Sequence, residues 1–325
     1  MNKKLSRTDE AYIEFLRVSS NVLELGLYVL LYKKFDNLEK TVDVRYQPKG
    51  KRTYLDIIKA TGYTNEKRPL MIYIHGGGWV SGLRQVRRFY CEDWAENGFV
   101  CANIDYDYAN DAKHPEHIRQ IFKGIEYVID NADRYGIDTT RIAVAGESAG
   151  GYFAALVSAI TSHPELYDIL GIEFKYKDSF KVDASVLLSG IYDPDRALST
   201  SFPNAKSFAK AFCGMSPAEL KTEEGQKLKS FLAPSYYADE KFPPAFIIGS
   251  KLDPLVVESH GLHEDLDKIG VKNELYICDG INGVHAGSLA CHVGSGKDAV
   301  LKARRFVLDI FRSKEKSELA AVGRD

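Results

Sequence analysis

A serine becomes a useful nucleophile only where its hydroxyl is lifted clear of the chain and a base can reach it. Gly146-Glu-Ser-Ala-Gly150 offers such a residue in Ser148. Before it, Ile142-Ala-Val-Ala145 is apolar and uncharged, which suits a strand buried on both faces. After it, Tyr152 to Ile160 is rich in Ala, Leu and Val at helical spacing. The chain must therefore pass from strand to helix across a G-x-S-x-G turn too tight for flanking side chains, with Ser148 beside the amide-rich start of the helix. A chain of this length meets that pattern by accident with probability of about 0.1, so its meaning depends on partners.

The first partner is His75-Gly-Gly-Gly-Trp79, directly after the apolar strand Leu70–Ile74. Consecutive glycines free the backbone to take positive φ and turn its N–H groups inward, as donors to a developing oxyanion must be. The end of a strand is also where an open α/β sheet places its site.

The second partner must be a base. Of eight histidines, His75 belongs to the glycine loop, and His163 lies beyond the helix after Ser148 and faces away. His114/His117 and His260/His263 have i, i+3 spacing but no accompanying carboxylate-rich loop, so both pairs are expected at the surface and no metal site is expected. His292 and His285 are left. His285 is the better placed, in the glycine-bounded loop Asp279–Gly287 after the last strand. For the acid that orients it, Asp253 follows the strand before that one, in Asp253-Pro-Leu255. Asp193, in Tyr192-Asp-Pro194, is a competitor, and Asp279 a weaker one; a turn or cap role is the alternative for either Asp-Pro.

The elements that must position these groups read in order. Residues 5–35 place Tyr12, Leu16, Leu23, Leu27, Leu30 and Leu31 at steps of three, four and seven, as one or two amphipathic helices lying on something else. Residues 41–46 and 53–58 alternate with period two around Pro48-Lys-Gly50, an antiparallel hairpin. From there strands at 70–74, 99–104, 142–145, 184–188, 245–248 and 274–278 alternate with helices at 84–97, 116–134, 152–162, 256–268 and 296–311. This predicts an α/β fold with a mostly parallel, eight-stranded, doubly wound sheet. The expected organisation is an N-terminal helical cap segment at 1–40, a core at 41–190 and 238–312, a strandless cap insertion at 191–237, and a charged tail at 313–325 that frays.

Composition excludes several classes. The apolar and charged fractions, 45% and 27%, are those of an ordinary globular protein, and a net charge of −2 gives no field for a polyanion, so no nucleic-acid partner is expected. No apolar run reaches membrane-spanning length, and Asp9, Glu10 and Glu14 interrupt any signal-peptide core. Nor is a long exposed apolar stripe read. The five scattered cysteines are read as free thiols in a reducing compartment, hence a cytoplasmic protein.

Taken together, His75-Gly-Gly-Gly-Trp79, Gly146-Glu-Ser-Ala-Gly-Gly151, Asp253-Pro-Leu255 and His285 resemble the hormone-sensitive-lipase branch of the α/β-hydrolase family, from about Thr41 to Phe311. The resemblance implies a carboxylesterase in which Ser148 is the nucleophile, His285 the base and Asp253 the orienting acid. It also implies an oxyanion hole at the N–H groups of Gly77, Gly78 and Ala149, no cofactor, and esters of short-to-medium acyl chains. A homodimer is compatible with it. Asp107 stands where the family usually has arginine, and Ala286-Gly287 where it has Gly-Phe. Trp79, Tyr108, Tyr152, Phe208 and Phe212 are candidates for pocket lining, with core packing the alternative for each. The same triad could cleave an amide instead of an ester; a receptor without turnover would be expected to lack His285.

Overall fold

The computed structural model describes residues 5–62 and 66–322. Its eight strands are β1 Leu38–Arg45, β2 Tyr54–Ala60, β3 Arg68–Ile74, β4 Val100–Ile104, β5 Ile137–Glu147, β6 Ala184–Leu188, β7 Ala245–Ser250 and β8 Asn273–Cys278. They form one sheet in the order β1-β2-β4-β3-β5-β6-β7-β8. β1 and β2 pair antiparallel, as does β2 with β4; every later pair is parallel. The helices are α1 Arg7–Leu31, α2 Arg84–Glu96, α3 Glu116–Asp130, α4 Ala132–Tyr135, α5 Ala149–Ser162, α6 Glu165–Ile169, α7 Pro194–Leu198, α8 Ala205–Cys213, α9 Glu223–Leu232, α10 Val256–Lys268 and α11 Gly294–Val322.

Alternation along the strands splits the core into two layers. Leu70, Ile72 and Ile74 of β3 face one layer with Ile121, Phe122, Phe153 and Leu262 of α3, α5 and α10. Met71 and Tyr73 face the other, with Trp94 of α2 and Phe306 of α11. Both faces of the central strands are thus covered, which is why they read as continuous apolar runs. Strand order reverses between β3 and β5, and the loops after β3, β5, β7 and β8 leave on one edge, where a doubly wound sheet binds ligands.

Some expectations need correction. α11 continues to Val322 where fraying from residue 313 was expected. β5 begins at Ile137, five residues earlier than its apolar run, because its polar first part pairs only with the start of β3. His114 and His117, expected at the surface, sit against the ring of Phe212, and His117 is fully buried. Burial lowers the pKa of both rings, His114 to about 3.

The N-terminal segment is one helix, and its inward face is carried by Ile13 and Leu16. The side chains of Leu27, Leu30 and Leu31 lie outside the described residues. Tyr12 and Leu23, expected on the inward face, are 43% and 64% exposed. The outward face is apolar as well, contrary to the expectation that no exposed apolar stripe would occur. Among the described residues no helix is long and apolar enough to cross a membrane.

Candidate active site

The turn between β5 and α5 is as tight as its sequence requires. A Cβ on Gly146 would stand 2.3 Å from the carbonyl oxygen of Gly150, and one on Gly150 would stand 2.1 Å from that of Ile74. Ser148 itself takes φ 54° and ψ −121°, a conformation that costs a non-glycine residue roughly 1–3 kcal/mol. Its N–H donates to Leu188 O at 2.8 Å, and its carbonyl accepts from Tyr152 N at 3.0 Å, so the surroundings hold the strain. The hydroxyl stands at the first turn of α5, where Ala149 is the first helical residue and its N–H has no earlier turn to bond.

His285 lies between Ser148 and Asp253. Its Nε2 is 2.9 Å from Ser148 Oγ, and its Nδ1 is 2.7 Å from Asp253 Oδ2. Asp253 is buried, and its second oxygen accepts from Leu255 N at 2.9 Å. The loops carrying the two residues are joined, since Leu252 N donates to Gly283 O at 2.7 Å. The competing acids have other work. Asp193 caps α7, accepting from Asp195 N and Arg196 N at 2.9 and 3.3 Å. Asp279 is tied through its backbone to Ser295 Oγ.

Gly77 and Gly78 have φ of 112° and 59°, and Trp79, with a side chain, has 63°. Their loop closes on itself, Val80 N and Ser81 N both donating to Gly77 O at 3.1 and 2.9 Å. The N–H groups of Gly77 and Gly78 donate to no acceptor among the described residues. His75 anchors the loop from below: its Nε2 is 3.0 Å from Asp105 Oδ1, its Nδ1 is 2.8 Å from Gly76 O, and its ring stacks on Tyr106 at 4.5 Å.

Several contributors were not visible in sequence. Arg52, from the β1–β2 turn, grips both oxygens of Asp105 at 3.1 and 3.0 Å, so a guanidinium lies beneath the loop although residue 107 is acidic. Asp107 instead pins that turn, accepting from Lys51 N and Arg52 N at 2.7 Å each. Glu147 accepts from Gly76 N at 2.8 Å and from Arg87 Nε at 2.5 Å, while Arg87 Nη2 donates to Glu24 of α1 at 3.0 Å. α1 also reaches the loop directly, with Asn21 Oδ1 3.0 Å from Gly82 N and Glu24 Oε2 3.3 Å from Leu83 N. An Asn and a Glu inside an apolar helical pattern were the only signal in the sequence.

Above Ser148 is a mainly apolar cavity of about 860 Å³, bounded by α1, α7 to α9 and the loops after β3, β7 and β8. Trp79, Tyr152, Phe208 and Phe212 all line it. Tyr108 does not: it is buried beneath Arg52 and donates to Gly82 O. Phe202, not singled out in the sequence, meets His285 edge-on at 4.7 Å. Among the described residues no cluster of three or more His, Cys, Asp or Glu is placed to hold a metal ion.

The description BD-FAE belongs to a family model that matches residues 55–266, from β2 through most of α10. The chain belongs to this family. Among curated proteins, esterase LipQ of Mycobacterium tuberculosis is 27% identical over 260 residues, which cover 79% of this chain and 59% of LipQ. An AB hydrolase superfamily protein of Schizosaccharomyces pombe is 24% identical over 290 residues, 86% of this chain and 81% of that one. The chain thus spans under two thirds of LipQ, and likewise 38% of esterase LipC of the same bacterium. Among solved structures, esterase B from Lactobacillus rhamnosis superposes with a TM-score of 0.83 at 20% identity, over 96% of this chain and 99% of that one. Membership and superposition agree on the α/β-hydrolase fold, with the two antiparallel pairs confined to one edge of the sheet.

Proposed function

We propose that the protein is a serine hydrolase of carboxylic esters with short-to-medium acyl chains, acting through Ser148, His285 and Asp253. The observation that carries this reading is His285, within hydrogen-bond reach of the buried Asp253 on one nitrogen and of a strained, cavity-facing Ser148 on the other. That relay removes the Ser148 proton as Oγ bonds to the acyl carbon, and Asp253 stabilises the resulting imidazolium. The carbonyl oxygen, now negative, is received by the N–H groups of Gly77, Gly78 and Ala149. They are fixed before reaction, so they cost no reorganisation as charge develops. Collapse expels the alcohol, which takes the His285 proton and leaves Ser148 acylated. Water then attacks the acyl carbon with His285 again as base, releasing the acid and restoring the serine.

The names of the relatives support the reaction class, and the apolar cavity supports an uncharged acyl group. The test is a panel of p-nitrophenyl esters of increasing acyl length, run beside Ser148→Ala and a fluorophosphonate label. Hydrolysis and labelling by the wild type, both lost in Ser148→Ala, are expected. A wild type that neither turns over nor takes the label sinks the reading.

A further inference from the structure

The outward face of α1 is a large surface feature that the active site does not use. Phe15, Val18, Val22, Leu25 and Val29 are between 49% and 76% exposed. Their spacing is three, four, three, four, the repeat that keeps an apolar seam facing a second helix. Ser19 and Gly26, seven residues apart, flank the seam and are exposed too, and a Cβ on Gly26 would meet nothing within 4 Å. The inward face is already committed, with Ile13 and Leu16 in the core and Asn21 and Glu24 on the glycine loop. A helix apolar on two opposite faces is a helix with a missing neighbour.

We infer that this seam pairs with the α1 helix of a second copy of the chain, forming a two-fold dimer. Three observations favour that occupant over a lipid surface. First, the heptad repeat is a requirement of helix pairing, whereas a bilayer surface asks only for a broad apolar side. Second, between Arg17 and Lys33 the chain has no basic residue, so most of the seam, from Val18 to Val29, has no cation beside it of the kind by which interfacial helices hold anionic lipid. Third, the five seam residues expose roughly 500 Å² on each copy, about 1,000 Å² for a pair, which is near the minimum a specific protein interface needs. Pairing is isologous, so it closes at two and leaves no free seam.

Sedimentation equilibrium of the purified chain at micromolar to hundred-micromolar concentration tests this, with circular dichroism as the check on folding. The expected mass is twice 36.4 kDa. Val22→Glu and Val18→Glu, which place an unpaired charge in the seam, are each expected to give the single-chain mass with an unchanged helical spectrum. Val22→Ser, which adds no charge, is expected to weaken the dimer at least tenfold, and it decides the matter should a glutamate variant fail to fold. A wild type that stays at the single-chain mass overturns the inference, as does a dimer indifferent to all three substitutions. So does a monomer that floats with phosphatidylcholine vesicles through this face, because the occupant is then lipid.

Discussion

Arg87 Nε lies 2.5 Å from a carboxylate oxygen of Glu147, the residue immediately before the nucleophile. Burial opposes the charge on Arg87, yet Glu147 and Glu24 hold it protonated, with its pKa above the ordinary arginine value. One guanidinium thus joins the serine turn, the glycine loop through Gly76, and α1. Glu24→Gln is expected to lower kcat roughly tenfold with KM little changed, a part of the ~10²–10³ that losing an oxyanion donor costs. Steady-state kinetics on a p-nitrophenyl ester separate the two constants; an unchanged kcat removes α1 from the positioning of the loop.

The orienting acid is open to a direct comparison. Asp253→Asn is expected to reduce kcat by about 10⁴, because an amide favours the wrong tautomer of His285. Asp193→Asn keeps an oxygen to cap α7 and is expected to stay within a few-fold of wild type. The reverse ranking would transfer the role to Asp193.

Phe208 covers the glycine loop: its ring carbons come within about 3.0 Å of where a Cβ on Gly78 would stand. Removing that ring leaves room directly above the proposed oxyanion site. Phe208→Ala is expected to raise kcat/KM for branched or aromatic esters relative to acetate by roughly tenfold. Paired measurements on p-nitrophenyl acetate and p-nitrophenyl benzoate read that ratio, and an unchanged ratio places the bulky group elsewhere.

Glu258 links α10 to the start of the segment above the site, accepting from Tyr192 N and Asp193 N at 2.7 and 2.8 Å. Burial outweighs those bonds and Arg196, and pushes its carboxyl up to about 7. The folded state therefore binds a proton more tightly than the unfolded chain, and its stabilising effect is full below about pH 4.5 and lost as pH rises to 7. The loss is on the order of 3 kcal/mol at most. Urea titrations should show wild type losing stability relative to Glu258→Gln between pH 5 and 8; parallel curves would contradict this.

His117 has the opposite sign. Burial, reinforced by His114 and Lys113, keeps its ring neutral well below the usual range, so the unfolded chain binds the proton first. Stability is then present above about pH 6.5 and falls as the solution is acidified. Both ring nitrogens lack partners among the described residues, and the ring packs on Phe153 and Phe212. His117→Phe should therefore fold and unfold at lower pH than wild type, as read by near-ultraviolet circular dichroism.

Much of this protein was legible in one dimension because the relevant constraints are local. A turn that excludes side chains at Gly146 and Gly150, a run of glycines after β3 and apolar strands at helical intervals each leave a mark within a few residues. They were enough to choose the sheet, Ser148, His285 and the family. For the acid, residue type and position leave Asp193 beside Asp253, since both precede proline, and the family resemblance is what points to Asp253. In the structure their side-chain partners differ, His285 for Asp253 and the start of α7 for Asp193. Arg52 and Arg87 were out of reach because each contributes through charge pairs across tens of residues, which no spacing rule encodes. The same holds for His114 and His117, whose burial is decided by Phe212 approaching from α8. For α1, the sequence determined an apolar helix. Tertiary packing decided which face was consumed, because only Asn21 and Glu24 find partners on the glycine loop. That choice left Phe15 to Val29 facing outward.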